Sequence, residues 1–385
     1  MSSTLLLSYA AVSTTVARTT LKWPQATGTR PRNMLRPTIT IDEANVLKGF
    51  GLTVDSEDSL QFAASLLRHA RLTGAPVSED DSVTGIFSRN DMLRAIAAIP
   101  ESASPEALEA EMTRIRCKEV WQVVQGLTEP VIIRPDATLF EAAKLMTEKR
   151  FNRIMVQGRY GPMLGAVTST DVVFTVLGCT EDAARELLAN GLDQHSYEGD
   201  LHRAGSAERP AVSPAEGRVQ DWMATKLTVI PPQMTLQDAG VLLRAAGITG
   251  APVVENGRVL GALSRFDLLR AIHTAVDVTD ESGFVKQIEQ LRAAPVRSVM
   301  KENPVTISPG DSILEAARIL ADGRLNRLVV TTDDGSTPGS LVGMLSSTDV
   351  CFAVLGDGGD EQDEALDDAL NDPNRAGNLY RPGIY

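Results

Sequence analysis

Cysteine is scarce in this sequence: three residues (Cys117, Cys179, Cys351) among 385. That excludes a disulfide framework and any CxxC-type zinc site. Aromatic residues make up only 4% of the chain, too few for the stacking platforms of single-strand nucleic-acid binders. Basic residues are outnumbered, 37 against 50 acidic, for a formal net charge of −13. A nucleic-acid partner, which needs a basic face, is therefore not expected. No apolar run is long enough to span a bilayer, so no membrane segment is expected either. A Ser–His–Asp set, a P-loop and a glycine-rich dinucleotide turn in strand–helix context are also missing, and no enzymatic activity is expected. His195 and His202 lie in a predicted linker without further ligands at metal-binding spacing, and no metal site is expected. What the chain does have is apolar material, 43% of its residues, enough for two or three domain cores.

One absence is local. Residues 1–41 contain no Asp or Glu; they carry Arg18, Lys22, Arg30, Arg32 and Arg36 among many Ser and Thr. This composition fits a removable plastid or mitochondrial transit peptide, the alternative being a disordered N-terminus on a cytoplasmic protein. At the other end, Asp357, Asp360, Glu361, Asp363, Glu364, Asp367, Asp368 and Asp372 crowd one run within residues 357–385. The expectation there is a solvated, mobile acidic tail.

An internal repeat dominates the rest. LQFAASLLRHARLTGAPV (Leu60–Val77) returns as LQDAGVLLRAAGITGAPV (Leu236–Val253), and the match runs on into SRNDMLRAI and SRFDLLRAI. Over residues 60–96, 22 of 37 aligned positions are identical. A second pair interleaves with the first: Pro130–Met146 matches Pro304–Leu320, and Gly165–Gly178 matches Gly343–Gly356. The order is thus A, B, A′, B′. The predicted helices between units also correspond, with Leu108, Met112 and Ile115 matching Phe284, Ile288 and Leu291. Each unit reads β-α-β-β-α. The first helix carries an apolar stripe in every copy: Leu60, Ala63, Ala64, Leu67; Leu139, Ala142, Ala143, Met146; Leu236, Ala239, Gly240, Leu243; Ile313, Ala316, Ala317, Leu320. Thr138/Glu141, Thr235/Asp238 and Ser312/Glu315 predict capping boxes or near-boxes, and Asn256-Gly257 predicts a tight hairpin.

One motif could carry chemistry. All four units contain Gly–apolar–apolar–Ser/Thr–x–x–Asp: Gly85–Asp91, Gly165–Asp171, Gly261–Asp267 and Gly343–Asp349. The hydroxyl falls where a strand leads into a helix, and the free N–H groups there favour an anion such as phosphate. The carboxylate one turn later can accept hydrogen bonds from the vicinal hydroxyls of a ribose. The same spacing is also that of an ordinary helix cap.

These units resemble cystathionine-β-synthase (CBS) motifs, and consecutive units resemble CBS pairs, or Bateman modules. The marks are the opening strands Thr228–Pro231 and Thr306–Pro309, the TGAPV segments at Thr73–Val77 and Thr249–Val253, and the motif ending in Asp. The resemblance implies an α/β fold of two CBS pairs, 49–178 (motifs 49–99 and 129–178) and 219–356 (motifs 219–275 and 296–356), with 179–218 as linker. It implies adenosine-ligand sites in the clefts: AMP, ADP, ATP, S-adenosyl compounds or nothing. Asp91, Asp171, Asp267 and Asp349 would hold ribose; Ser88, Thr168, Ser264 and Ser346 would touch phosphate. Thr53, Thr228 and Thr306, with backbone near Ala75 and Ala251, would face adenine. Arg153 and Arg327, and with them Arg89 and Arg265, would face phosphates. Met155 and Val329 stand where the family usually has Pro. The Val–x–Asp/Ser–x–Met lead-in precedes A′ (Val219–Met223) and B′ (Val296–Met300), is degraded before B (Val120–Val124) and is not recognisable before A. Plant-type organellar proteins with one CBS pair are the look-alikes, which implies a regulatory role on a partner of thioredoxin-system type. The modules are expected to pair within the chain or across a homodimer; a ligand-free scaffold is the alternative function. Cys117 is a conceivable redox residue.

Overall fold

The structure, a computed structural model, describes residues 35–48, 52–70, 72–79, 82–100, 104–124, 131–158, 163–192, 195–198, 213, 215–332, 340–356, 366, 369 and 370. Unit A comprises β1 (Val54–Asp55), α1 (Leu60–His69), β2 (Gly74–Glu79), β3 (Ser82–Ser88) and α2 (Arg89–Ala97). After α3 (Pro105–Arg116) and the short α4 (Val120–Val123) comes unit B: β4 (Ile132–Ile133), α5 (Leu139–Lys149), β5 (Arg153–Gln157), β6 (Met163–Thr168) and α6 (Ser169–Leu177). The connecting region holds α7 (Glu181–Ala189), β7 (Ser196–Glu198) and α8 (Val219–Trp222). Unit A′ is β8 (Lys226–Thr228), α9 (Leu236–Ala245), β9 (Gly250–Glu255), β10 (Arg258–Ser264) and α10 (Arg265–Ala275). Then follow α11 (Phe284–Ala293), a 3-10 turn (Val296–Ser298) and β11 (Lys301–Glu302). Unit B′ closes the series with β12 (Thr306–Ile307), α12 (Ile313–Gly323), β13 (Arg327–Thr332), β14 (Ser340–Ser346) and α13 (Ser347–Leu355).

Local chemistry sets these boundaries. The hydroxyls of Ser59, Thr138, Thr235 and Ser312 cap α1, α5, α9 and α12 by accepting the N3 amides, satisfying one orphan donor each. Asn256 and Gly257 both take positive φ, 52° and 77°, the conformation a two-residue hairpin turn requires. In A, B and B′ the opening strand runs parallel to the first hairpin strand, pairing Val54 with Val77, Ile133 with Val156 and Ile307 with Val330.

The equivalent in A′ is a bridge from Ile230 to Val253. This corrects the sequence alignment: A′ has one more residue than A between its LTV tripeptide and its first helix. Val229, not Thr228, therefore matches Thr53 and Thr306. A shift of one residue in a strand moves the side chain to the other face. Thr228 instead pairs with Ser196 as β8 joins β7 of the linker, so the region 179–218 is partly folded rather than a plain tether.

Helices and sheets meet different partners. One core joins α1 and α2 of A to α12 and α13 of B′, through residues such as Leu66, Leu93, Ile96, Leu320 and Val354. The other joins α5 and α6 of B to α9 and α10 of A′. Within each module it is the sheets that meet. Ile86 of A packs on Met155 and Ala166 of B, and Val254 and Val259 of A′ on Leu341 and Met344 of B′. The two modules thus pack helix against helix inside one chain. Leu366 and Ala369, in the acidic C-terminal run, are buried in the first core, unlike a wholly solvated tail; their i, i+3 spacing puts both on one helix face. Leu370 packs partly buried against the same core; the rest of that run lies outside the described residues, as do His202 and residues 1–34 of the acid-free leader.

The segments ahead of the units interlock each pair. Leu60 N–H donates to Lys118 O (2.7 Å) and Val120 N–H to Asp58 O (2.9 Å), so B's lead-in clasps the start of A's helix. In the second module Leu236 N–H donates to Ala294 O (2.9 Å) and Val296 N–H to Met234 O (2.8 Å). In the other direction Val219 N–H donates to Asp311 O (2.9 Å), tying A′'s lead-in to B′. Ile41 N–H does the same to Ala137 O of B (2.9 Å). Residues 41–48 are therefore the lead-in of A, unrecognised in the sequence because two extra residues and a turn with Asn45 at φ 50° separate its fixed points.

The acid-free segment therefore includes folded residues before its end at residue 41. Ile39 (4% exposed) and Ile41 (0%) are core residues of unit B. In urea melts Ile41→Ala should cost about 2–4 kcal/mol. A processed protein should begin, by N-terminal mass spectrometry, ahead of Ile39.

Candidate functional site

The four motif hydroxyls stand at equivalent places, the N-caps of α2, α6, α10 and α13. In each, the Asp closes a capping box. Its Oδ2 accepts the cap N–H at 2.8 Å (Ser88), 3.0 Å (Thr168), 2.9 Å (Ser264) and 2.7 Å (Ser346). The cap hydroxyls also donate to Oδ2. The cap is thus real in all four copies, and it uses one carboxylate oxygen. The other oxygen, Oδ1, differs between copies. In A and A′ it pairs with an arginine one turn on, Arg94 for Asp91 and Arg270 for Asp267 (3.2 Å). In B it pairs with Lys48 (2.7 Å). Among the described residues no cation pairs with Asp349.

The four arginines gather at the B-type motifs. Arg153 lies opposite Thr168 across β5/β6, and Arg327 opposite Ser346 across β13/β14. From there Arg153 donates to Gly74 O of A, and Arg327 to Thr249 Oγ1 of A′. Arg89, at the start of α2, crosses to the other module and donates to Thr348 Oγ1, beside Asp349. Arg265 does the same to Thr170 Oγ1, beside Asp171. Thr170 and Thr348 were not singled out from the sequence, although the Thr–Asp step shared by the B-type motifs was the available signal; Thr249 was named only as the start of a TGAPV segment.

None of these four guanidiniums has a carboxylate partner within ion-pair distance among the described residues. All four are half-buried, and burial pulls each below the usual arginine range. Arg265 falls to about 10, by burial first and then by repulsion from Arg327 and Arg89. Arg327 also falls to about 10, by burial and then by Arg89, with Asp349 opposing. The junction of the modules thus gathers four arginines that, among the described residues, have no carboxylate at ion-pair distance and feel Asp171 and Asp349 only at longer range, in a chain of net charge −13.

The adenine candidates are less uniform. Thr53 is buried and Thr306 exposed, while Thr228 lies off register. Ala75 and Ala251 are buried in β2 and β9, opposite Phe87 and Leu263. Met155 and Val329, at the family's Pro positions, are buried strand residues. A cavity of about 40 Å³ between A and B′ is lined by Arg89, Thr348, Cys351 and Ser65. A larger one, about 420 Å³, lies in A around Trp121, Glu57 and Glu79 and includes no predicted site residue.

A CBS domain profile matches residues 51–98, 123–178, 219–274 and 296–356, more than half of the chain. The chain belongs to the CBS domain family. Its four CBS domains form two Bateman modules. A CBS domain-containing protein of Dictyostelium discoideum is 31% identical over 138 residues, 36% of this chain and 90% of that protein. The chloroplastic CBSX2 of Arabidopsis thaliana is 28% identical over 154 residues, 36% of this chain and 63% of that protein. A crystal structure of CBSX2 in complex with AMP aligns with TM-score 0.30 over 36% of this chain and 96% of that one, at 28% identity. An inosine-5'-monophosphate dehydrogenase of Korarchaeum cryptofilum is 25% identical over 155 residues, and the chain spans only 28% of that enzyme's length. No helix among the described residues is long and apolar enough to cross a membrane.

Two consequences are measurable. The fold disfavours the Arg327 cation, so its charge costs stability at every pH below about 10. Arg327→Met should stabilise the ligand-free protein by about 1 kcal/mol in urea melts near neutral pH. Burial pushes the Cys179 and Cys351 thiols up to about 12, while Cys117 is exposed. Iodoacetamide at pH 8 should therefore label Cys117 alone in the native protein and all three thiols in denaturant.

Proposed function

We propose that this CBS protein is a non-enzymatic regulator that binds adenosine-containing ligands of the AMP, ADP or ATP class in its CBS-pair clefts. One observation carries the reading: four half-buried arginines without carboxylate partners converge on helix starts that also present a hydroxyl and a carboxylate. A phosphate tail supplies the missing negative charge through charge-assisted bonds. A ribose diol suits the outward oxygen of the Asp. Arg89 and Arg265 reach across the modules, so a ligand that draws on them favours one module packing over another, a population shift that a partner protein can read. The AMP complex of CBSX2 supports the ligand class. A thioredoxin-system partner and a plastid or mitochondrial location, suggested by the resemblance and the leader, complete the proposal.

A ligand-free scaffold is the second reading, favoured by the fact that all four carboxylates already have a capping role. Thermal melts with AMP, ADP, ATP and S-adenosylmethionine separate the two. Binding at 100 times the dissociation constant should add about 2.7 kcal/mol, and Asp349→Ala should remove most of that gain. No shift with any of the four ligands leaves the scaffold. A shift that survives both Asp267→Ala and Asp349→Ala moves the site elsewhere.

A further inference from the structure

The two arginine-facing motifs share the Ser–Thr–Asp ending that enters the helix and the arginine that reaches it from the other module. Asp171 and Asp349 each sit beside a threonine bonded by an arginine from the opposite module, and each lies near a strand arginine of its own unit. Their carboxylates nevertheless meet different neighbours. Lys48 Nζ lies 2.7 Å from Asp171 Oδ1, its side chain 64% exposed and that of Asp171 8% exposed.

The lysine is delivered there by backbone. Lys48 N–H donates to Ala166 O (3.1 Å) and Ala166 N–H to Lys48 O (2.8 Å), and Ile41 and Val46 are buried behind it. In the second module the same two bonds, both 2.9 Å, join Met344 to Ala224. A methyl group thus stands where the first module has an ammonium. Lys301 holds the matching place opposite Ala262, but there the outward oxygen of Asp267 is taken by Arg270 of its own helix.

We propose that Lys48 is a built-in occupant of the Asp171 site. It holds the carboxylate oxygen that a ribose diol needs, so Asp349 is open and Asp171 is closed. The proposal rests on the nucleotide reading above. Oδ2 of Asp171 already accepts the cap N–H and hydroxyl, so Oδ1 is the oxygen left for a sugar. The ammonium–carboxylate pair joins two opposite full charges, which a neutral ribose hydroxyl must displace while offering only a hydrogen bond. The strap, clamped at Ile41 and Lys48, also keeps the amine at high local concentration. A diol from solution therefore competes poorly at Asp171, whereas among the described residues no cation is within ion-pair distance of Asp349, where Arg89 and Arg327 act only at longer range. Lys48 is thus a specificity-determining residue that makes two matched sites unequal.

A reciprocal exchange at exposed positions tests this. Lys48→Ala gives the first module the second module's residue, and Ala224→Lys does the converse. Calorimetric titration with AMP and with ADP should show that Lys48→Ala adds one further site, absent from Lys48→Ala/Asp171→Ala. Ala224→Lys should weaken the Asp349-dependent site by about tenfold, as expected for competition with one half-buried ion pair. If the wild type already shows matched Asp171-dependent and Asp349-dependent sites, the lock is overturned while the nucleotide reading stands. If Lys48→Ala weakens binding, Lys48 is a ligand contact and the lock is likewise overturned. Absence of binding to the wild type and to every variant overturns both.

Discussion

Every other feature of the molecule depends on a set of contacts between the modules that is made twice. Arg116 of α3 donates to Val354 O at the end of α13 (2.8 Å), and Arg292 of α11 donates to Val176 O at the end of α6 (3.0 Å). Arg68 lies over the Phe352 ring at 3.4 Å, and Arg244 over Phe174 at 5.1 Å. Arg89 and Arg265 bond Thr348 and Thr170. In each pair the two members occupy matching places in the repeat, so the modules are related by an approximate two-fold. The first pair satisfies carbonyls that a helix C-terminus leaves unpaired. The second adds cation–π attraction. Together with the two mixed cores they bring the start of α2 beside the start of α13, and the start of α10 beside that of α6. Without that register Arg89 and Arg265 would not reach Thr348 and Thr170 or join Arg327 and Arg153 at the B-type motifs.

The arrangement sets stability against function. Buried, unpaired cations are costly, and three of these repel one another. Threonine hydroxyls and a glycine carbonyl satisfy their N–H groups but contribute no net charge. A group held this way has more to gain from a phosphate than a solvated arginine has. Local chemistry therefore outweighs the overall negative field of the chain, which by itself would repel an anionic ligand.

Much of this was legible in the sequence, for identifiable reasons. The apolar stripes, the caps at Thr138, Thr235 and Ser312, and the Asn256-Gly257 turn are local signals, and local physics decides them. The four Asp positions were legible because four copies of a motif superimpose, whereas the arginines occur in only two of those copies or outside the motif, and their place beside phosphates came from the family resemblance. Two kinds of information were not. The extra residue before α9 shifts a strand by one place, and only the pairing of Ile230 with Val253 shows that Thr228 is displaced and Val229 is its equivalent. The lead-in at Ile41–Lys48 has an insertion within it, so its spacing hid its role and the charge pattern assigned its first residue to a leader. The pairing of A with B′, and not with B, through helices is likewise a property of the assembled cores, since every unit carries the same stripe.

The interlocking lead-ins have a further consequence for how the chain tolerates being cut. Each unit's first helix begins against backbone that belongs, by sequence, to its partner's entry segment: Leu60 against Lys118, Leu139 against Ile39, Leu236 against Ala294, Val219 against Asp311. Severing the chain between two units of a module therefore frees neither of them. The fragment that carries one unit keeps hold of the other through borrowed hydrogen bonds and a shared sheet interface. The single β-α-β-β-α repeat visible in the sequence is therefore not a separable part, and the helix faces of each clasped pair are covered only by the other pair.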